Sequence, residues 1–124
     1  MSLSLKDFML ENGELKRRTK SSDPHLPEHI EGGFYCSNNQ LTSLEGAPES
    51  VGGYFNCSNN QLTSLEGAPE SVGGHFDCRN NQLTSLEGAP ESVGGSFYCS
   101  NNKVEEAELL RFWEEEQRIL SKDW

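Results

Sequence analysis

The stretch NNQLTSLEGAPESVGG occupies residues 38–53 and recurs without a change at 59–74 and 80–95. Five residues follow each copy, and these vary: YFNCS at 54–58, HFDCR at 75–79 and SFYCS at 96–100, with FYCS at 34–37 ahead of the first copy. The differences fall mainly at every second position, the period of a strand whose alternate side chains face opposite sides. Constant segments joined to short alternating ones predict a repeat architecture, in which each unit buries its apolar edge against its neighbours.

A period of 21 runs through Phe34, Phe55, Phe76 and Phe97, through Cys36, Cys57, Cys78 and Cys99, and through Asn39, Asn60, Asn81 and Asn102. Leu41, Leu62 and Leu83 follow, with Val104 in the fourth copy, and then Leu44, Leu65 and Leu86. The unit F-x-C-x-x-N-x-L-x-x-L resembles the leucine-rich repeat, with Phe and Cys in the first two apolar places. The variant carrying GAPESVGG is similar to repeats encoded by tailed phages and prophages, and departs from the short bacterial form by one extra residue per unit. The resemblance implies an α/β repeat fold: a short, right-handed leucine-rich-repeat solenoid with a parallel β-sheet on its concave face. It also implies a chain acting by binding, directed at a bacterial host protein if the origin is viral.

Within each unit, Phe55 and Cys57 are expected to face the core and Tyr54, Asn56 and Ser58 the concave surface. Asn60 turns inward, where its amide can satisfy backbone groups left unpaired as the chain leaves the strand. Leu62 and Leu65 fill the interior, and Gly67, Pro69 and Gly73–Gly74 make the turns. Cysteines in one repeat column, with no C-x-x-C or C-x-x-H pair, read as small core hydrophobes rather than metal ligands or nucleophiles.

Three segments are expected: an N-terminal cap over 1–25, repeats over 26–102 and a C-terminal capping helix over 103–124. Open solenoid ends need such caps. LKDFMLENG at 5–13 reads as a short helix, with Ser4 and Asp7 as a capping box and Asn12–Gly13 as its stop. Glu14, Leu15 and Lys16 fall one period before Cys36 and are placed as an edge strand, with KRRTK behind them discouraging strand-to-strand aggregation. LPEHIEGG at 26–33 is a degenerate copy of APESVGG. VEEAELLRFWEEEQRIL at 104–120 reads as a helix with Leu109, Leu110, Trp113 and Leu120 along one face and Glu114 placed to pair with Arg118.

The chain has 124 residues, a formal charge of −10 and 33% hydrophobic residues. That acidity argues against direct binding of nucleic acid or an anionic membrane, and allows a basic protein surface as partner. Neither a membrane span nor a signal-peptide core is visible, so a cytoplasmic location is expected.

The outward positions form three columns: Gly33, Tyr54, His75 and Ser96; Tyr35, Asn56, Asp77 and Tyr98; Ser37, Ser58, Arg79 and Ser100. Tyr35, Tyr54, Asn56, His75, Asp77, Arg79 and Tyr98 are the candidate partner-binding residues, because Tyr and Arg dominate binding hot spots. Ser96, His75 and Asp77 carry the letters of a hydrolytic triad. Residues two apart on a strand lie nearly 7 Å apart, however, and no oxyanion hole is evident. Asp77 is expected to pair with Arg79 instead, and no catalytic residue, metal or cofactor is assigned. Glu45, Glu66 and Glu87 form one acidic column and Glu49, Glu70 and Glu91 another. These are either solvated edges or an anionic ridge for a basic or nucleic-acid-binding host protein. On the second reading the chain is an acidic inhibitor of a host defence nuclease, a nucleic-acid mimic of anti-CRISPR type. A structural or assembly role in a virion is the further alternative that a phage origin implies.

Overall fold

A computed structural model describes residues 2–112 and the backbone of 122–123. The chain forms a solenoid of about three turns, each of 21 residues. Every turn contributes two short parallel strands. One series is β4 (Phe34–Tyr35), β6 (Phe55–Asn56), β8 (Phe76–Asp77) and β10 (Phe97–Tyr98). The other is β3 (His29–Ile30), β5 (Ser50–Val51), β7 (Ser71–Val72) and β9 (Ser92–Val93). Register is one full repeat, so Phe34, Phe55, Phe76 and Phe97 align across the first sheet and Ile30, Val51, Val72 and Val93 across the second.

The second sheet was not expected from the sequence. Between the two sheets the backbone ladder continues through the glycine pair: Gly52 N donates to Ile30 O (2.8 Å) and Gly53 N to Gly32 O (3.0 Å). A Cβ on Gly52 would run into the Glu31 carbonyl, so the pair lets adjacent coils approach at the corner.

Identical side chains stack along the interior. The phenyl rings of Phe34, Phe55, Phe76 and Phe97 follow one another at 5.5, 5.3 and 5.2 Å with interplanar angles of 20°, 5° and 18°. Behind them lie the buried thiols and the leucine pairs of each coil. Where the chain leaves the strand, Asn60 Oδ1 accepts from Asn39 N (3.0 Å) and Leu41 N (2.9 Å), while its Nδ2 donates to Cys36 O, Cys57 O and Ser58 O. Asn81 and Asn102 repeat this pattern, accepting from Leu62 N and Leu83 N. The asparagine just before each of them takes a left-handed conformation, with φ between 56° and 58° at Asn38, Asn59, Asn80 and Asn101. The two asparagines of the later N-N pairs thus do different jobs: Asn59, Asn80 and Asn101 turn the backbone, and Asn60, Asn81 and Asn102 each tie their coil to the one before.

The N-terminal end differs from the expected helical cap. Ser4 and Asp7 do form a capping box, but on a 3-10 turn of only Leu5–Asp7. The chain then becomes extended, and β1 (Phe8–Glu11) pairs antiparallel with β2 (Glu14–Arg17). Asn12 and Gly13 have φ of 53° and 79°, the left-handed pair of a two-residue hairpin turn, so they reverse a strand instead of stopping a helix. Glu14–Lys16 are a strand as expected, paired with β1 and not with the repeat sheet. Leu3 and Leu5 plug the first coil: Leu3 bridges Leu41, and Leu5–Lys6 contact Gly46 as Leu44–Glu45 contact Gly67.

At the other end, the expected helix over 104–120 is described only as α1 (Glu106–Arg111). No side-chain cap begins it; Leu109 is half-buried, Phe112 is buried and Leu110 is exposed. Beyond it, β11 (Lys122–Asp123) lies parallel to β10 and extends the first sheet, whose order is β11-β10-β8-β6-β4. Trp113, Glu114, Arg118 and Leu120 lie outside the described residues.

Candidate functional site

The outer side of the first sheet carries the variable residues. Tyr35 is the most open of them, at 60% exposure, while Tyr54, Asn56, His75, Arg79 and Tyr98 are half-buried by one another. The rings make one continuous row across the strands. Centroids of Tyr35 and Tyr54 lie 5.9 Å apart, Tyr54 and His75 5.7 Å, and His75 and Tyr98 5.6 Å. Interplanar angles of 42°, 79° and 50° tilt each ring against the next, unlike the flat phenylalanine stack on the other side of the same strands. The guanidinium of Arg79 caps the end of the row, 4.8 Å from the Tyr98 centroid. Gly33 leaves the room at its start, since the Tyr35 phenol folds over its Cα.

Asp77 departs from expectation. Its position on the strand is outward, yet it is 1% exposed, because Tyr54 and Arg79 close over it. Its Oδ2 accepts from Tyr54 Oη (3.0 Å) and Arg79 Nη2 (2.7 Å), and its Oδ1 from Arg79 Nε (3.0 Å) and Arg79 N (3.1 Å). Burial alone would push this carboxyl upward, but the Arg79 guanidinium and amide, with Tyr54, hold it below the ordinary carboxylate range. The Tyr54 phenol is pushed up by burial and by donating to Asp77, and Asp77 raises Arg79 in turn. Asp77 is therefore a brace beneath the surface and not an accessible contact. Ser58 is likewise buried, with its hydroxyl on Asn56 Oδ1 (2.6 Å).

His75 and Ser96 meet, but through the backbone: Ser96 N donates to His75 Nδ1 at 2.8 Å. With Asp77 committed to Arg79 and Tyr54, the three residues do not form a relay. The thiols face inward, and burial raises all four, Cys99 to about 12. Among the described residues, no group of three His, Cys, Asp or Glu side chains converges as a metal site.

Both acidic columns are solvent-exposed. Lys6 stands at the head of the Glu45–Glu66–Glu87 column, in the place a preceding glutamate would take, and its Nζ lies 2.8 Å from Glu45 Oε1. Glu49, Glu70 and Glu91 are preceded by Glu28, and these four alternate with His29, Ser50, Ser71 and Ser92 along an open groove. Glu28 was missed as a candidate, although the alignment of LPEHI with APESV puts it in this column.

No family model, curated protein or solved structure matches this chain. No helix among the described residues is long and apolar enough to cross a membrane.

Proposed function

We propose that the protein is a non-enzymatic protein-binding module whose contact surface is the outer face of the first sheet. The observation that carries this reading is the unbroken row Tyr35–Tyr54–His75–Tyr98, capped by Arg79 and braced from below by Asp77. These residue types supply most of the energy at protein interfaces, and here a stiff ladder of coils holds them in place, so little ordering remains to oppose binding. The variable letters of the repeat gather on this face, while most of the constant ones are core or turn residues.

The test is comparative capture. Wild-type protein and a Tyr35→Ser/Tyr98→Ser variant are immobilised and exposed to one bacterial lysate, a choice motivated by the resemblance to phage repeats. A host protein retained by the first and lost by the second supports the reading. Identical capture by both would remove this face as the binding surface.

The acidic columns favour a second reading, in which Glu45, Glu66, Glu87 and the groove glutamates engage a basic or nucleic-acid-binding host protein, as an inhibitor of a defence nuclease would. Replacing the three column glutamates by Gln should then slow association and flatten its salt dependence, leaving the tyrosine variant unaffected.

A further inference from the structure

His75 brings the one ring nitrogen of its column, where Gly33, Tyr54 and Ser96 hold the equivalent places. The imidazole lies against the next coil at Gly95 and Ser96. A Cβ on Gly95 would sit 2.5 Å from Nδ1 and 3.0 Å from Cε1, so the glycine is what lets the ring come this close. There Nδ1 faces the Ser96 amide at 2.8 Å. A backbone N–H can only donate, so Nδ1 must accept, and the bond fixes a neutral ring with its proton on Nε2. Protonation takes the same lone pair. An imidazolium carries a proton on both nitrogens and would set one N–H against the other across this contact.

The same ring holds the middle of the aromatic row, edge-on to Tyr54 at 5.7 Å and 79° and tilted against Tyr98 at 5.6 Å and 50°. Resting on the proposed binding role of this face, we infer that His75 is its proton switch: the neutral ring latches the row to Ser96, and acid releases it. The proton comes from solvent, adds to the Nδ1 lone pair and leaves the half-buried Ser96 N–H to water. The groups facing His75 give the cation no new anchor. Tyr54 projects from the coil before and Tyr98 from the coil after. On its own strand, Asp77 has both oxygens committed to Arg79 and Tyr54, and Arg79 already places a positive charge over Tyr98. His29 is a built-in control. Its Nδ1 meets Ser50 Oγ at 2.6 Å, and a hydroxyl can turn its proton away and accept from an imidazolium, so protonation there breaks nothing.

The intact protein, without a partner, is titrated by NMR from about pH 8 to about pH 5, the span in which histidine changes charge. The signals followed are the imidazole nitrogens, the Ser96 amide and the rings of Tyr54 and Tyr98. At the upper end Nδ1 of His75 should be the unprotonated nitrogen. As the ring takes its proton, the Ser96 amide and both tyrosines should shift with the midpoint of His75 itself. The protection of the Ser96 amide against hydrogen exchange, corrected for intrinsic rate, should fall at least about tenfold. In His75→Phe, which keeps a ring and has no nitrogen to titrate, these signals should stay where they are. A proton on Nδ1 at pH 8, no titration of His75 down to pH 5, or undiminished Ser96 protection once His75 is charged would each overturn the inference. So would the same shifts in His75→Phe. These readouts need no partner, so failure of the switch is distinct from failure of the binding face, which capture by Tyr35→Ser/Tyr98→Ser at pH 8 decides. Lysate proteins held through that tyrosine pair should be released at pH 5 at least about tenfold more from wild type than from His75→Phe. Equal release from both, or capture indifferent to the tyrosine pair, would remove His75 as a control of binding.

Discussion

Tyr54 and Asp77, one coil apart, share a hydrogen bond of 3.0 Å that runs from the phenol into a carboxylate sealed beneath Arg79. This contact makes neighbouring coils depend on each other through the outer face of the first sheet as well as through the core. Asp77→Asn should therefore destabilise the protein by about 1–3 kcal/mol at neutral pH, because the amide cannot accept at both positions. The folded-state pKa of Asp77 is depressed, so its contribution is fully present above the ordinary carboxylate range and fades as pH falls through that range toward the folded value. The gap in melting temperature between wild type and Asp77→Asn should accordingly narrow in acid. A gap independent of pH would show that the carboxylate's charge contributes nothing.

The asparagine column predicts a graded series. Among the described residues, Asn60 has five backbone partners, three of them on the preceding coil, whereas the side chain of Asn39, at the head of the column, bonds only Cys36 O and Ser37 O. Asn60→Ala should cost about 1–3 kcal/mol, Asn39→Ala less, and the exposed Gln61→Ala under about 0.5 kcal/mol. Chemical denaturation measures all three. An Asn39 penalty as large as that of Asn60 would mean that the inter-coil bonds carry no weight.

The repeat core was legible because it is written repeatedly: Phe, Cys and Asn four times and the Leu pair three times, at a period of 21, place themselves. The second sheet was not, since its strands Ser50–Val51, Ser71–Val72 and Ser92–Val93 lie inside the segment that is identical in every copy, where no variation marks alternate sides. Phe8–Glu11 was misread for a related reason. Four residues fit a helix turn or a strand equally well, and Asn12–Gly13 punctuates both; the outcome depended on Phe8 and Leu10 finding the core edge in an extended chain. On the outer face, the sequence told which side Asp77 lies on but not its depth. Depth is set by Tyr54 and Arg79, whose side chains fold over it.

The turn glycines supply a sharper test of how tightly the coils nest. Gly67 has φ of 92°, and a Cβ there would lie 2.7 Å from the Glu45 amide nitrogen on the coil before. Gly13 has a comparable φ of 79° but open space around it. An alanine at either position meets the left-handed penalty of about 1–2 kcal/mol. Gly67→Ala should cost about 1–3 kcal/mol more, because the neighbouring coil must move. Similar melting temperatures for the two variants would imply that adjacent coils can separate freely.

The thiols test the interior directly. Cys36, Cys57 and Cys78 are fully buried and Cys99 nearly so, and burial pushes each of them above its ordinary range, Cys99 to about 12. Alkylation needs both access and thiolate, and the folded protein restricts both. In the native state at neutral pH the four should react with iodoacetamide at a rate set by opening of the coils rather than by reagent concentration, with Cys99 first because it lies nearest the C-terminal end. Denaturant should bring all four to the rate of a free thiol together, as expected for a cooperative stack. Rapid labelling of Cys57 or Cys78 without denaturant would contradict the inward orientation of the whole column, and with it the side of the strand on which Tyr54, His75 and Tyr98 stand.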